Sequence, residues 1–161
     1  MQIRRVVTGF GEDGAPTVMS DGPAAASVAL PAALGVGLVD LWRSDSLPLA
    51  TTGDDDPTTS NIFALMPTGS LFRIIDLEPG DHAPMWHTTA SVDFVYVAAG
   101  EITFRCGSPE ASTDVRLATG DTLVQRGIPH AWVNEGAETC RLVNASVAAT
   151  LPEGVSPDVP S

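Results

Sequence analysis

Gly120-Asp121-Thr122-Leu123-Val124-Gln125-Arg126-Gly127-Ile128-Pro129-His130-Ala131-Trp132-Val133-Asn134 is the stretch that decides the fold. Thr122 to Gln125 and Ala131 to Asn134 read as two short strands, separated by Arg126-Gly127-Ile128-Pro129. His130 follows Pro129 at the entry of the second strand. Trp132 lies two residues on, so the two side chains share one face.

A second block lies upstream. Gly80 to Asn134 contains all three histidines of the chain: His82, His87 and His130. Pro84-Met85-Trp86-His87 leads to Asp93, a carboxylate inside the apolar run Ser91 to Ala98, and the block closes at Gly100. In that run Asp93, Val95 and Val97 share one face, and Val92, Phe94 and Tyr96 the other. Both faces are largely apolar, which predicts a strand buried on both sides. Ala99-Gly100 turns the chain, and Glu101 to Cys106 returns it. His82 sits in a Gly-Asp turn and is expected to be exposed.

The same alternation extends outward. Strands are expected over 3–8, 17–20, 36–42, 71–77, 114–117 and 139–148, with a turn over 107–112. Gly11, Asp13 and Gly14 make the first two strands a hairpin. Residues 24–34 are rich in small side chains and allow a helical turn limited by Pro31. Residues 43–60 read as a surface loop, and Asp54-Asp55-Asp56 within it as solvated charge. Turn signals recur roughly every ten residues, the rhythm of a β-sandwich or barrel. The expected organisation is one domain over 1–150, with its core at about 70–148. A Pro-rich tail over 151–161 should fray or pack loosely.

Composition excludes several classes. The chain has 161 residues and a net charge of −12, and its eight basic residues are all arginine. That balance argues against nucleic acid and anionic membrane surfaces. No apolar run approaches the roughly 20 residues of a membrane span. The first residues lack a signal peptide's apolar segment, so a cytoplasmic location is the default expectation. Cys106 and Cys140 lack the spacing of a redox or zinc motif and are expected as core hydrophobes.

Gly120-Asp121, Gly127-x-x-His130-x-x-x-Asn134 and the looser Pro79-Gly80, His87, Asp93, Gly100-Glu101 resemble the two blocks of the cupin superfamily. The arginine pair Arg4-Arg5, Ser20-Asp21-Gly22-Pro23 and Val39-Asp40-Leu41-Trp42-Arg43 are similar to a subgroup of small single-domain cupins of the conserved-barrel type. The resemblance implies an all-β fold, a cupin jelly-roll β-barrel with an N-terminal β-hairpin extension and a central pocket, and a homodimer. Metal-binding cupins present two histidines and a glutamate from the first block and a histidine from the second. Here the second histidine place falls on Thr88 or Thr89, and Asp93 stands where the glutamate would be.

A buried carboxylate needs a partner, or its pKa rises. Three readings follow. In the leading one no cofactor is required, and His130 and Asp93 form an acid–base pair assisted by His87. The reaction is then a dehydration, isomerisation or cyclisation of a hydrophobic carbonyl compound, with Trp86, Trp132 and Gln125 contacting it. In the second, His87, Asp93 and His130 hold one divalent metal such as Fe(II), Ni or Zn, as in a dioxygenase. In the third, the pocket binds a small molecule without turning it over.

Overall fold

The computed structural model describes residues 2–24, 26–29, 32–49, 51 and 69–158. Among them the chain forms eleven strands and one short 3-10 turn, Ala32–Leu34. A hairpin of β1 (Arg4–Phe10) and β2 (Pro16–Pro23) comes first. Then follow β3 (Ala26–Ala29), β4 (Val36–Ser44), β5 (Ser70–Leu77) and β6 (Ser91–Ala99). The rest are β7 (Glu101–Ser108), β8 (Ala111–Ala118), β9 (Thr122–Arg126), β10 (His130–Val133) and β11 (Cys140–Ala148). One sheet runs β3-β4-β5-β11-β6-β9, the other β10-β7-β8. This is the jelly-roll expected from the sequence. Among the described residues no helix is long and apolar enough to cross a membrane.

The core fills the space between the two sheets. Val36, Leu38, Leu77, Val95, Val97 and Leu142 come from the larger sheet, and Ile102, Phe104 and Leu117 from the smaller. Each fully buried side chain of this size contributes about 1.5–3 kcal/mol over an exposed one. A second cluster, Val39, Leu41 and Ile74, lies against Ile3 and Ala24 at the ends of the hairpin. The two-stranded hairpin, marginal alone, is thereby fixed to the barrel.

Several expectations change. Asp93, Val95 and Val97 do face inward, but Phe94 is 50% and Tyr96 44% exposed, so β6 is buried on one side only. An apolar outer face does not bury itself: the N-terminal segment covers the sheet over Ile74 and leaves the β6 end open. Residues 26–29 pair with β4 as a strand, because an open sheet edge overrides the weak helical tendency of small residues. The turn expected over 107–112 shrinks to Pro109-Glu110, since pairing continues to Ser108↔Ala111. The described part of the tail, 151–158, is tied down at its end: Asp158 pairs with Thr88 through bonds of 2.8 and 3.0 Å. Most of the loop over 43–60, with Asp54-Asp55-Asp56, lies outside the described residues. Cys106 and Cys140 are free thiols, and Cys140 is fully buried in the core. Burial first, then Asp76 and Glu101, push the Cys140 thiol up to about 11.

Candidate functional site

The two blocks do face each other. The backbones of His87 and His130 form an antiparallel bridge with two N–H···O bonds of 3.0 Å. Their ring centroids lie 4.2 Å apart at 52°. The bridge extends the β10-β7-β8 sheet by one short segment, so the histidine meeting is fixed by main-chain bonds rather than by side-chain chance. Phe104 and Trp132 stand beside His130, with centroids at 5.4 and 6.3 Å.

His130 is 2% exposed. Its Nδ1 lies 2.8 Å from the Ile128 carbonyl oxygen. A carbonyl only accepts, so Nδ1 carries the proton and Nε2 keeps its lone pair. Gln125 fixes this turn: its Oε1 accepts the Gly127 N–H at 3.1 Å, and its Nε2 donates to Ile128 O at 3.2 Å. That orientation brings Gln125 Nε2 to 3.1 Å from His130 Nδ1. Burial, then the neighbouring charge of His87, push the His130 pKa down to about 4, against the Ile128 hydrogen bond. His130 is therefore a neutral imidazole at any ordinary pH. His87 repeats the arrangement, with Nδ1 2.9 Å from Met85 O.

Asp93 lies inside the barrel but does not reach His130 by a hydrogen bond. Its Oδ1 accepts the Ser91 hydroxyl at 2.7 Å. Its strand partner is Gln125, which in turn touches His130. The aspartate and the histidine thus lie on either side of Gln125 in the backbone register, with no direct bond between them. No three His, Cys, Asp or Glu side chains are grouped as a metal requires among the described residues. The two imidazoles offer Nε2 donors, but this arrangement does not fit the expected trio of His87, Asp93 and His130.

The other candidates separate. Trp132 packs against Phe104, their ring centroids 4.8 Å apart and tilted by 58°, and lines a small cleft open to solvent. His87, Met85 and Leu34 line it too. Trp86 is half-buried and outside that lining. Gln125 is 2% exposed and grips the histidine turn, which makes it a positioning residue. His82 is half-buried rather than exposed, with Nδ1 3.2 Å from Ala33 O, and it lines the cleft. Its ring lies where a Cβ on Gly35 would stand, at 2.5 Å, so that glycine (φ 59°) is needed twice over.

A polar half of the interior escaped the sequence reading. Strand register places Arg43, Leu71, Ser146, Asp93 and Gln125 in one buried row. The next row contains Asp40, Arg73 and Asn144, again buried. Arg73 Nε and Nη2 donate to both Asp40 oxygens, at 2.5 and 3.1 Å. Asn144 Nδ2 donates to Ser146 Oγ at 3.1 Å. The signal was present in β11: Cys140, Leu142, Asn144 and Ser146 alternate, so the polar pair had to face inward with Leu142.

Comparison with known proteins agrees with this fold. A family model described as a cupin domain matches residues 73–146. Oryzines biosynthesis cluster protein J of Aspergillus oryzae is 31% identical over 139 residues, which cover 83% of this chain and 75% of that protein. Phomopsin biosynthesis cluster protein D of Diaporthe leptostromiformis is 37% identical over 99 residues. That match covers 58% of this chain and about half, 50%, of the relative. Among solved structures, a Salmonella typhimurium protein named ethanolamine utilization protein Q shares the fold at a TM-score of 0.50 and 13% identity, over 93% of this chain and 99% of its own. The family model over residues 73–146, with the 31%-identical relative of which three quarters is spanned, shows that this chain belongs to the cupin superfamily.

Proposed function

We propose that the chain is a cupin-type enzyme of secondary-metabolite biosynthesis that moves a proton inside its barrel to dehydrate or isomerise a hydrophobic carbonyl compound. The relatives named for biosynthesis clusters support the setting. One observation carries the chemistry: a buried, neutral His130 with its proton fixed on the Ile128 side and its Nε2 lone pair available.

A base with a pKa near 4 is weak. It removes only a proton already made acidic, as on a carbon between two carbonyls. The same number makes its conjugate acid strong, so His130 returns the proton readily to a leaving hydroxyl. Abstraction breaks the C–H bond, and its electron pair forms the new C=C as the C–O bond of a β-hydroxyl breaks. The proton leaves with that oxygen as water. His87, its ring centroid 4.2 Å from that of His130, assists the transfer. Asp93, held by Ser91, and Gln125 position the site.

The test uses a panel of β-hydroxy ketones and β-hydroxy-1,3-diketones, following the conjugated product by ultraviolet absorbance. Turnover is expected for the dicarbonyl members and should fall by roughly 10²–10⁴-fold in His130→Ala. Rates unchanged in that variant would sink the acid–base reading. Compounds bound but recovered unchanged would favour a binding protein.

A metal-dependent reading has one supporting observation. Both rings rest Nδ1 on backbone carbonyls and leave Nε2 free, as ligating histidines do. Elemental analysis after exposure to Fe(II), nickel or zinc decides it: stoichiometric metal lost in both His87→Ala and His130→Ala would favour it.

A further inference from the structure

The two imidazoles are supported unequally. His130 opens β10, which pairs with β7 from His130↔Cys106 to Val133↔Thr103. His87 lies between β5 and β6 and belongs to neither. Its backbone bonds only to His130. A single bridge fixes few residues for two hydrogen bonds and is weak alone.

The C-terminal tail supplies the missing side. Successive residues of an extended segment direct their N–H and C=O groups to opposite sides. His87 bonds β10, and Thr88 therefore bonds away from it. Thr88 N–H donates to Asp158 O at 2.8 Å, and Asp158 N–H donates to Thr88 O at 3.0 Å. His87-Thr88 is thus the middle of three paired segments. Thr88 is 5% and Thr89 7% exposed, although neither belongs to a named strand.

The same tail touches the second block. A Cβ on Gly127 would stand 2.5 Å from Leu151 Cδ2 and 3.2 Å from Thr89 O. Leu151 therefore closes on the turn that Gln125 holds and that sets the His130 tautomer. One end of the tail meets the His130 turn and the other meets the His87 segment.

We propose that Leu151 to Asp158 is a positioning strap of the site: docked, it holds His87 against His130, and released, it lets the imidazole pair separate. The role in reaction rests on the proton transfer proposed above. Leu151 and Asp158 act through the histidines and touch no reacting atom. Asp158 acts through its main chain, so its carboxylate is dispensable. Displacing a catalytic group by about 1 Å costs roughly 10²-fold in rate, which makes docking of the tail a condition of turnover.

Amide hydrogen exchange of the full wild-type chain tests the strap without substrate. The amides of Thr88 and Asp158 should open together with those of His87 and His130. Strap amides that exchange at least about 100-fold faster than the histidine amides would overturn the proposal, because the pair then survives release. In Leu151→Ala/Asp158→Pro the protection of the His87 and His130 amides should fall by about tenfold, while Val97 and Leu142 keep theirs. Asp158→Asn, which keeps both main-chain bonds, should match the wild type. A parallel fall at Val97 and Leu142 would mean general destabilisation and overturn the strap, as would unchanged histidine amides. If the double variant does not fold, the wild-type comparison decides. Turnover of the β-hydroxy-1,3-diketones should drop about 100-fold in the double variant and not in Asp158→Asn. Unmoved turnover there overturns the positioning role. Absence of turnover in the wild type counts against the proton transfer instead, and exchange still judges whether the strap holds the pair.

Discussion

Gln125 Nε2 and His130 Nδ1 converge on one acceptor, the carbonyl of Ile128, at 3.2 and 2.8 Å. The glutamine therefore holds the turn that sets the imidazole's tautomer. Replacing it with a carboxylate of the same shape, Gln125→Glu, puts a negative charge beside Nδ1. The His130 pKa should rise from about 4 by roughly 1–3 units. Imidazole ¹⁵N shifts followed through a pH titration report this. A pKa that stays put would mean that the glutamine does not face the ring.

Stability should depend on His130 in a defined window. The unfolded chain takes up a proton near the ordinary histidine value of 6.5, and the folded chain refuses it until about pH 4. Below 6.5 the unfolded state thus binds more protons, and stability falls with pH until about 4. Above 6.5 this contribution is complete. The 2.5-unit difference corresponds to about 3 kcal/mol. Urea unfolding at pH 7.5 and 4.5 measures it, and His130→Gln should remove most of the slope that this residue contributes.

How much of this was legible beforehand depends on the length scale. Alternation in Ser91–Ala99 and Cys140–Ala148 gave the strands, because a two-residue period is local. Resemblance of the blocks around His87 and His130 gave the barrel and their meeting. The exposure of Phe94 and Tyr96 was not legible, since apolar side chains do not record whether another segment covers them. Nor was the pairing of Gln125 with Asp93 legible, because that depends on register between β6 and β9. The Asp40–Arg73 pair is a contact across strands 33 positions apart, which no window of sequence contains.

That ion pair should behave asymmetrically. The Asp40 side chain is 1% and the Arg73 side chain 10% exposed. Arg73→Met leaves a buried carboxylate unpaired and should cost about 3–5 kcal/mol. The double variant Asp40→Leu/Arg73→Met should recover most of that loss. Chemical denaturation of the single and double variants gives the comparison, and additive losses would show that the pair is not coupled.

Two motif positions should prove structural. Asn134 Nδ2 donates to Leu77 O and Glu138 O, both at 2.8 Å, and Oδ1 accepts Gly136 N–H at 3.0 Å. Asn134→Ala breaks all three and should cost about 1–3 kcal/mol. Gly127 has φ 61°, and a Cβ there would stand 2.5 Å from Leu151 Cδ2, so Gly127→Ala should destabilise by at least about 1 kcal/mol. Thermal melts should fall in both variants.

The buried polar interior draws its members from five strands, from Asp40 on β4 to Ser146 on β11. None of its cross-strand partners are neighbours along the chain, so no fragment contains a working part of it. Such topologies fold in milliseconds to seconds because loop closure precedes the contacts that reward it. During synthesis these rows cannot assemble until β11 has emerged, so the native interior should form in one late step rather than grow with chain length. Unpaired imidazoles and carboxylates meanwhile stay in water, where they are harmless.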